Sequence, residues 1–72
     1  MIPQLDLHGI RHADVRRECD SFMTRIWGSY DCVDIVTGNS DEMRSLVVDA
    51  LSDYDVEITM AMQNSAVLRI YL

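Results

Sequence analysis

Leu5-Asp6-Leu7-His8-Gly9 reads as the end of a buried strand running straight into a tight turn. Leu5 and Leu7 alternate with Asp6 and His8, so the leucines face a core and the polar pair shares the other direction. Gly9 lets the backbone turn sharply before a helix. An acid and an imidazole at a strand exit form a reasonable place for chemistry. A second polar turn, Thr37-Gly38-Asn39-Ser40, leaves another strand in the same way. If the two strands are parallel neighbours, both turns sit on one edge of the sheet, and the functional reading rests on that pairing.

Outward from this stretch, residues 2–7 form the first strand, with Pro3 near its start suiting a sheet edge. From residue 12 to 27 the period changes. Val15, Cys19, Phe22, Met23 and Ile26 fall on one helical face, and Gly28 and Ser29 stop the helix. Residues 32–37 alternate as a second strand. Asn39 is read as the cap of the second helix, with Glu42 completing a capping-box pattern. That helix runs to about Ser52 on a stripe of Met43, Leu46, Val47, Ala50 and Leu51. Residues 56–62 and 66–72 alternate as a closing hairpin turned at Gln63-Asn64-Ser65. Met43, Met60 and Met62 are read as core filler, and Trp27 and Tyr30 as packing residues. The order β-α-β-α-β-β, with right-handed crossovers, puts both helices on one face of a mixed four-stranded sheet. The expected class is a two-layer α/β (α+β) sandwich. Its open face would show Asp34, Glu57, Thr59, Arg69 and Tyr71, with Arg69 pairing Glu57 across the hairpin.

Seventy-two residues make a single domain, 1–72, and 49% hydrophobic residues suffice for a core. No apolar run reaches the roughly 18 residues of a membrane span, and no charged-then-apolar leader pattern opens the chain, so the expected location is the cytoplasm. Cys19 and Cys32 are expected as reduced thiols, since no CxxC or Cys/His cluster offers zinc a ligand set. The net charge is −6 and every basic residue is an arginine. Residues 1–30 are balanced, with four acids and four arginines; residues 31–72 carry eight acids and two arginines. The basic footprint of a typical nucleic-acid binder is absent overall. The arginine-rich surface belongs to the first helix, beside the opening motif.

The chain resembles the small MutS-related (Smr) domain family. Leu5-Asp6-Leu7-His8-Gly9 matches that family's Leu-Asp-Leu-His-Gly signature in full. Thr37-Gly38-Asn39-Ser40 matches its Thr/His-Gly-x-Gly signature except for the last glycine, and the hairpin closes on Tyr71-Leu72. The likeness covers nearly the whole chain. It implies a fold similar to the C-terminal domain of translation initiation factor 3. It also implies binding of DNA or RNA and, in several members, metal-assisted endonuclease activity.

On that resemblance Asp6 and His8 are the candidate catalytic residues. An Asp holding Mg²⁺ or Mn²⁺ helps to activate water and to stabilise charge on a phosphate, and a His acts as general acid or base. The plainer reading is that both hydrogen-bond the turn. One carboxylate is a thin metal site, and a metal bridging Asp6 and Asp41 is a further arrangement. His12 is expected as a surface residue. Gly9, Arg11, Arg16, Arg17, Thr37, Gly38, Asn39 and Ser40 are the candidate nucleic-acid contacts. Arginine binds phosphate bidentately, and a helix N-terminus favours anions. Against this, Asp14, Glu18 and Asp20 are helix-spaced partners for the arginines, Asp41 and Glu42 repel phosphate, and Ser40 blocks close approach if its site needs positive φ. The rival function is a non-catalytic acidic module of the same fold that engages a protein partner.

Overall fold

The computed structural model describes residues 2–61 and 64–72. Strand β1 (Gln4–Asp6) leads through a 3-10 turn (His12–Asp14) into helix α1 (Val15–Ile26). Strand β2 (Cys32–Val36), helix α2 (Asp41–Ala50) and strands β3 (Glu57–Ala61) and β4 (Asn64–Tyr71) follow. The sheet order is β1-β2-β4-β3. β1 runs parallel to β2, and β4 runs antiparallel to both β2 and β3. The expected mixed sheet with two helices is therefore the observed one.

Both helices fold onto one face because each carries a single apolar stripe. Val15, Cys19, Phe22, Met23 and Ile26 of α1 are all buried, as their spacing requires. Met43, Val47 and Ala50 of α2 are buried too, and Leu51 just beyond it. These side chains meet Leu7, Val33, Ile35, Leu68 and Ile70 from the sheet in one core. Ile35 is opposite Leu5 on one side and Leu68 on the other, so alternate residues of three strands face the helices together.

The opposite face is open, and its centre is polar. Asp34 and Arg69 are register partners, and the Arg69 guanidinium donates to Asp34 with Nε–Oδ1 at 2.9 Å and Nη2–Oδ2 at 3.2 Å. This corrects the expected Arg69–Glu57 pair: on β3 Arg69 lies opposite Thr59, and Glu57 lies opposite Tyr71, two residues along the ladder. The pair holds β2 to β4 by side chains as well as by backbone.

Other expectations change at their margins. α2 ends at Ala50 rather than near Ser52, β1 is shorter than expected, and residues 12–14 form a 3-10 turn instead of α-helix. Asn64 and Ser65 belong to β4 and not to a turn, because β4 pairs from Asn64 opposite Ala61 across a register shift at Met60/Ala61. Gln63 and Met62 lie outside the described residues. Met60 is 53% exposed on edge strand β3, so it is not core filler, whereas Met43 is buried. Both described cysteines are free thiols.

Candidate functional site

The register Leu5↔Ile35 and Asp6↔Val36 sets the exits of β1 and β2 side by side. One further hydrogen bond, from Leu7 N–H to the Val36 carbonyl at 3.0 Å, carries the ladder to the very start of the first turn. The two polar turns therefore share one edge of the sheet.

The first turn is fixed by its own backbone. Ile10 N–H donates to the Leu7 carbonyl at 3.0 Å, and Gly9 between them has φ +79°. That left-handed conformation is cheap only for glycine. Asp6 Oδ1 accepts the His8 N–H at 2.8 Å, an Asx-type contact that pins the strand exit. The plainer role read for Asp6 is thus present in the geometry. Asp6, His8, Gly9 and Arg11 are exposed or partly so at this edge. His12 is exposed, as expected, and its Nδ1 lies 3.1 Å from Glu42 Oε1. That contact ties the first turn to the start of α2, a link that no spacing in the sequence announces.

The second turn is more inward. Thr37 is only 6% exposed. Its hydroxyl donates in a shared bond to the Ala66 carbonyl at 3.2 Å and the Gly38 carbonyl at 3.0 Å. The Thr37 and Gly38 N–H groups reach the same Ala66 carbonyl at 2.8 and 3.1 Å. Thr37 accordingly holds the turn against β4, and Gly38 completes it at φ +68°. The helix cap is Ser40, not Asn39: the Ser40 hydroxyl accepts the Met43 N–H at 3.1 Å. Ser40 has φ −96°, an ordinary extended value, so this position makes no demand for glycine. Arg44 donates to the Gly38 carbonyl at 3.3 Å and pairs with Asp41. Asp41 is therefore engaged by a cation of its own helix, which counts against a metal bridge to Asp6.

The arginines of α1 are spoken for. Arg17 pairs with Asp14 at 3.3 Å, the i,i+3 partner its helix spacing supplies. Arg16 instead reaches across to the end of α2 and the turn after it, 3.9 Å from Asp49 and 3.5 Å from Asp53. Arg25 lies over the Phe22 ring at 5.7 Å. Among the described residues no group of three or more His, Cys, Asp or Glu side chains is gathered as a protein-built metal cage would need. Asp6 offers one carboxylate and His8 one imidazole, which falls short of holding an ion by protein ligands alone.

No protein-family model, curated protein or solved structure matches the chain. The fold and the edge define a class by themselves: a small α/β sandwich with two polar strand-to-helix turns brought level by parallel pairing. Among the described residues no helix is long and apolar enough to cross a membrane.

Proposed function

We propose that this chain is a nucleic-acid-binding domain of Smr type that engages DNA or RNA along the edge shared by residues 6–12 and 37–42. The observation that carries the reading is the parallel register of β1 and β2. It brings the motif residues Asp6, His8 and Gly9 level with Gly38, Asn39 and Ser40, which are distant in sequence. Arg11 is the cation nearest the motif in sequence and is exposed, so it is the residue to meet a phosphate. Thr37 supports this edge from beneath.

Endonuclease activity is the further step of the same proposal, with Asp6 and His8 as its residues and Mg²⁺ or Mn²⁺ as its ion. Among the described residues the protein side chains do not complete a cage for that ion. The chain's own part is to present one carboxylate and one imidazole beside the bound strand.

The test joins binding to cleavage. Fluorescence anisotropy with single- and double-stranded DNA and RNA at low salt measures binding. Nicking of supercoiled plasmid and of structured RNA, with Mg²⁺, Mn²⁺ or chelator, measures cleavage. Asp6→Asn keeps an oxygen to accept the His8 N–H while removing the charge, so it separates chemistry from turn structure. Metal-dependent cleavage lost in Asp6→Asn and His8→Ala supports the nuclease. Binding without cleavage leaves a binding module, and absence of both overturns the proposal.

A second reading rests on a specific observation. Arg16 and Arg17 are paired with acids, α2 begins with Asp41 and Glu42, and the net charge is −6. A protein-interaction module that meets a basic partner uses those features directly.

A further inference from the structure

The opposite end of the sheet carries a separate feature. Where α1 ends and β2 begins, a cleft of about 280 Å³ is lined by Trp27, Gly28, Tyr30, Asp31 and Leu72. Trp27 is 49% and Tyr30 46% exposed, so the two largest aromatic surfaces here were not taken into the core. Trp27 is nonetheless held in place. Its backbone N–H donates to the Met23 carbonyl at 2.9 Å, and its ring packs 5.8 Å from that of Tyr54 at a tilt of 46°. Tyr54 is anchored in turn by its hydroxyl, which donates to Asp20 Oδ1 at 3.2 Å. Leu72 is fixed beside Asp31 by its N–H, which donates to the Asp31 carbonyl at 2.9 Å.

The chemistry of this lining has one sign. Aromatic faces carry partial negative charge and attract cations. Asp31 adds a full negative charge at the rim and is exposed. Among the described residues no arginine or histidine lies within ion-pair distance of Asp31. Arg25, two residues before Trp27 in sequence, lies over the Phe22 ring. Leu72 and Gly28 supply apolar surface, which suits a weakly hydrated organic cation better than a compact metal ion. The net charge of −6 raises the local concentration of any cation.

We propose that this cleft is a binding site for an organic cation, a guanidinium or alkylated ammonium group, seated between Trp27 and Tyr30 and paired with Asp31. The site is independent of the nucleic-acid edge, since it lies before β2 and after β4 while that edge lies after β1 and β2. The cation arrives either as a small molecule or on an arginine side chain of a partner.

Trp27 is the single tryptophan of the chain, so its emission reports on the cleft directly. The full chain is titrated with choline and with its neutral isostere 3,3-dimethyl-1-butanol, and separately with an arginine peptide and its citrulline counterpart. The expected result is a saturable change for the cations, with the neutral partners at least about fivefold weaker. Asp31→Asn should weaken the cation by a similar factor with circular dichroism and nucleic-acid binding unchanged. A response to choline alone identifies a small-molecule site, and a tighter response to the arginine peptide identifies a partner chain. Equal responses to charged and neutral probes, or an Asp31→Asn variant that binds as the parent does, would overturn the proposal.

Discussion

Cys19 and Cys32 have the same side chain in opposite settings. Cys19 is fully buried on α1, and Cys32 is half-buried on the open sheet face. Burial pushes the Cys19 thiol up from 9.0 to about 11, with Asp20 and Glu18 adding to the rise. The thiolate is the reactive form, so at about pH 8 a thiol reagent should label Cys32 and spare Cys19 until the chain unfolds, as mass spectrometry of the modified peptides will report. The sign of the pH effect follows. A group held protonated by the fold contributes its full stability below about pH 9, and that contribution is lost as pH rises through about 11. Urea midpoints should therefore fall between those values more steeply for the parent than for Cys19→Ala. The Asp34–Arg69 pair sits at the same scale. The hydrogen bond to Asp34 and the Asp34 charge raise the Arg69 pKa further above its ordinary value. Arg69→Met leaves the Asp34 carboxylate half-buried and alone, and Tm should fall by several degrees. Asp34→Asn added to Arg69→Met should recover part of the loss, since the stranded charge is then gone.

At the element scale, α2 shows what its cap contributes. Ser40→Ala removes the acceptor for the Met43 N–H and should cost about 1 kcal/mol, whereas Ser40→Gly should cost only a few tenths. Denaturant titration of both variants distinguishes them. Ser40→Gly also introduces a glycine where the resembled signature has one; because φ at this position is −96°, the nucleic-acid binding proposed above should be indifferent to the change. The elements themselves were legible because each has a clean period: five apolar residues of α1 at helical spacing, and alternation through β2 and β4. What could not be read was choice among near-equal neighbours. Asn39 and Ser40 are both good caps, and the backbone, extended at Ser40, decided between them. Glu57 and Asp34 were both carboxylates within reach of Arg69 in pattern, and only the β2–β4 register selects Asp34. Met60 has a core residue's alternation but sits on the edge strand, where the sheet offers it no second neighbour. The site followed the same rule. The two turns were visible as motifs, and their meeting depended on a parallel pairing that became certain only in three dimensions. The His12–Glu42 contact and the Trp27–Tyr30 cleft carried no spacing signal.

Charge belongs to the whole molecule, and it sets the terms on which a domain of −6 can hold a polyanion. Arg16, Arg17, Arg44 and Arg69 each lie within ion-pair distance of an acid, and Arg25 rests on Phe22. Among the described residues no acid lies within ion-pair distance of Arg11, which is exposed beside the motif. Each phosphate neutralised releases counterions and steepens the salt dependence of binding by about 0.9 in log K per log salt on duplex DNA. If the edge binds as proposed with the ion pairs intact, the slope should be shallow, about −1 to −2. Arg11→Ala should then flatten it by about 1, while Arg16→Ala and Arg17→Ala change it little. A slope steeper than about −4 carries a different meaning. The arginines of α1 would have left Asp14, Asp49 and Asp53 for the phosphates, and Arg16→Ala and Arg17→Ala would each flatten it. Anisotropy titrations across a salt series separate the two outcomes. They also separate the two functional readings, because a module built for a basic protein should bind DNA and RNA too weakly to give a measurable slope, with or without Arg11. The exposed acids that disfavour a long phosphate track also limit non-specific capture, so the proposed binding would have to come from the short edge where β1 and β2 end together.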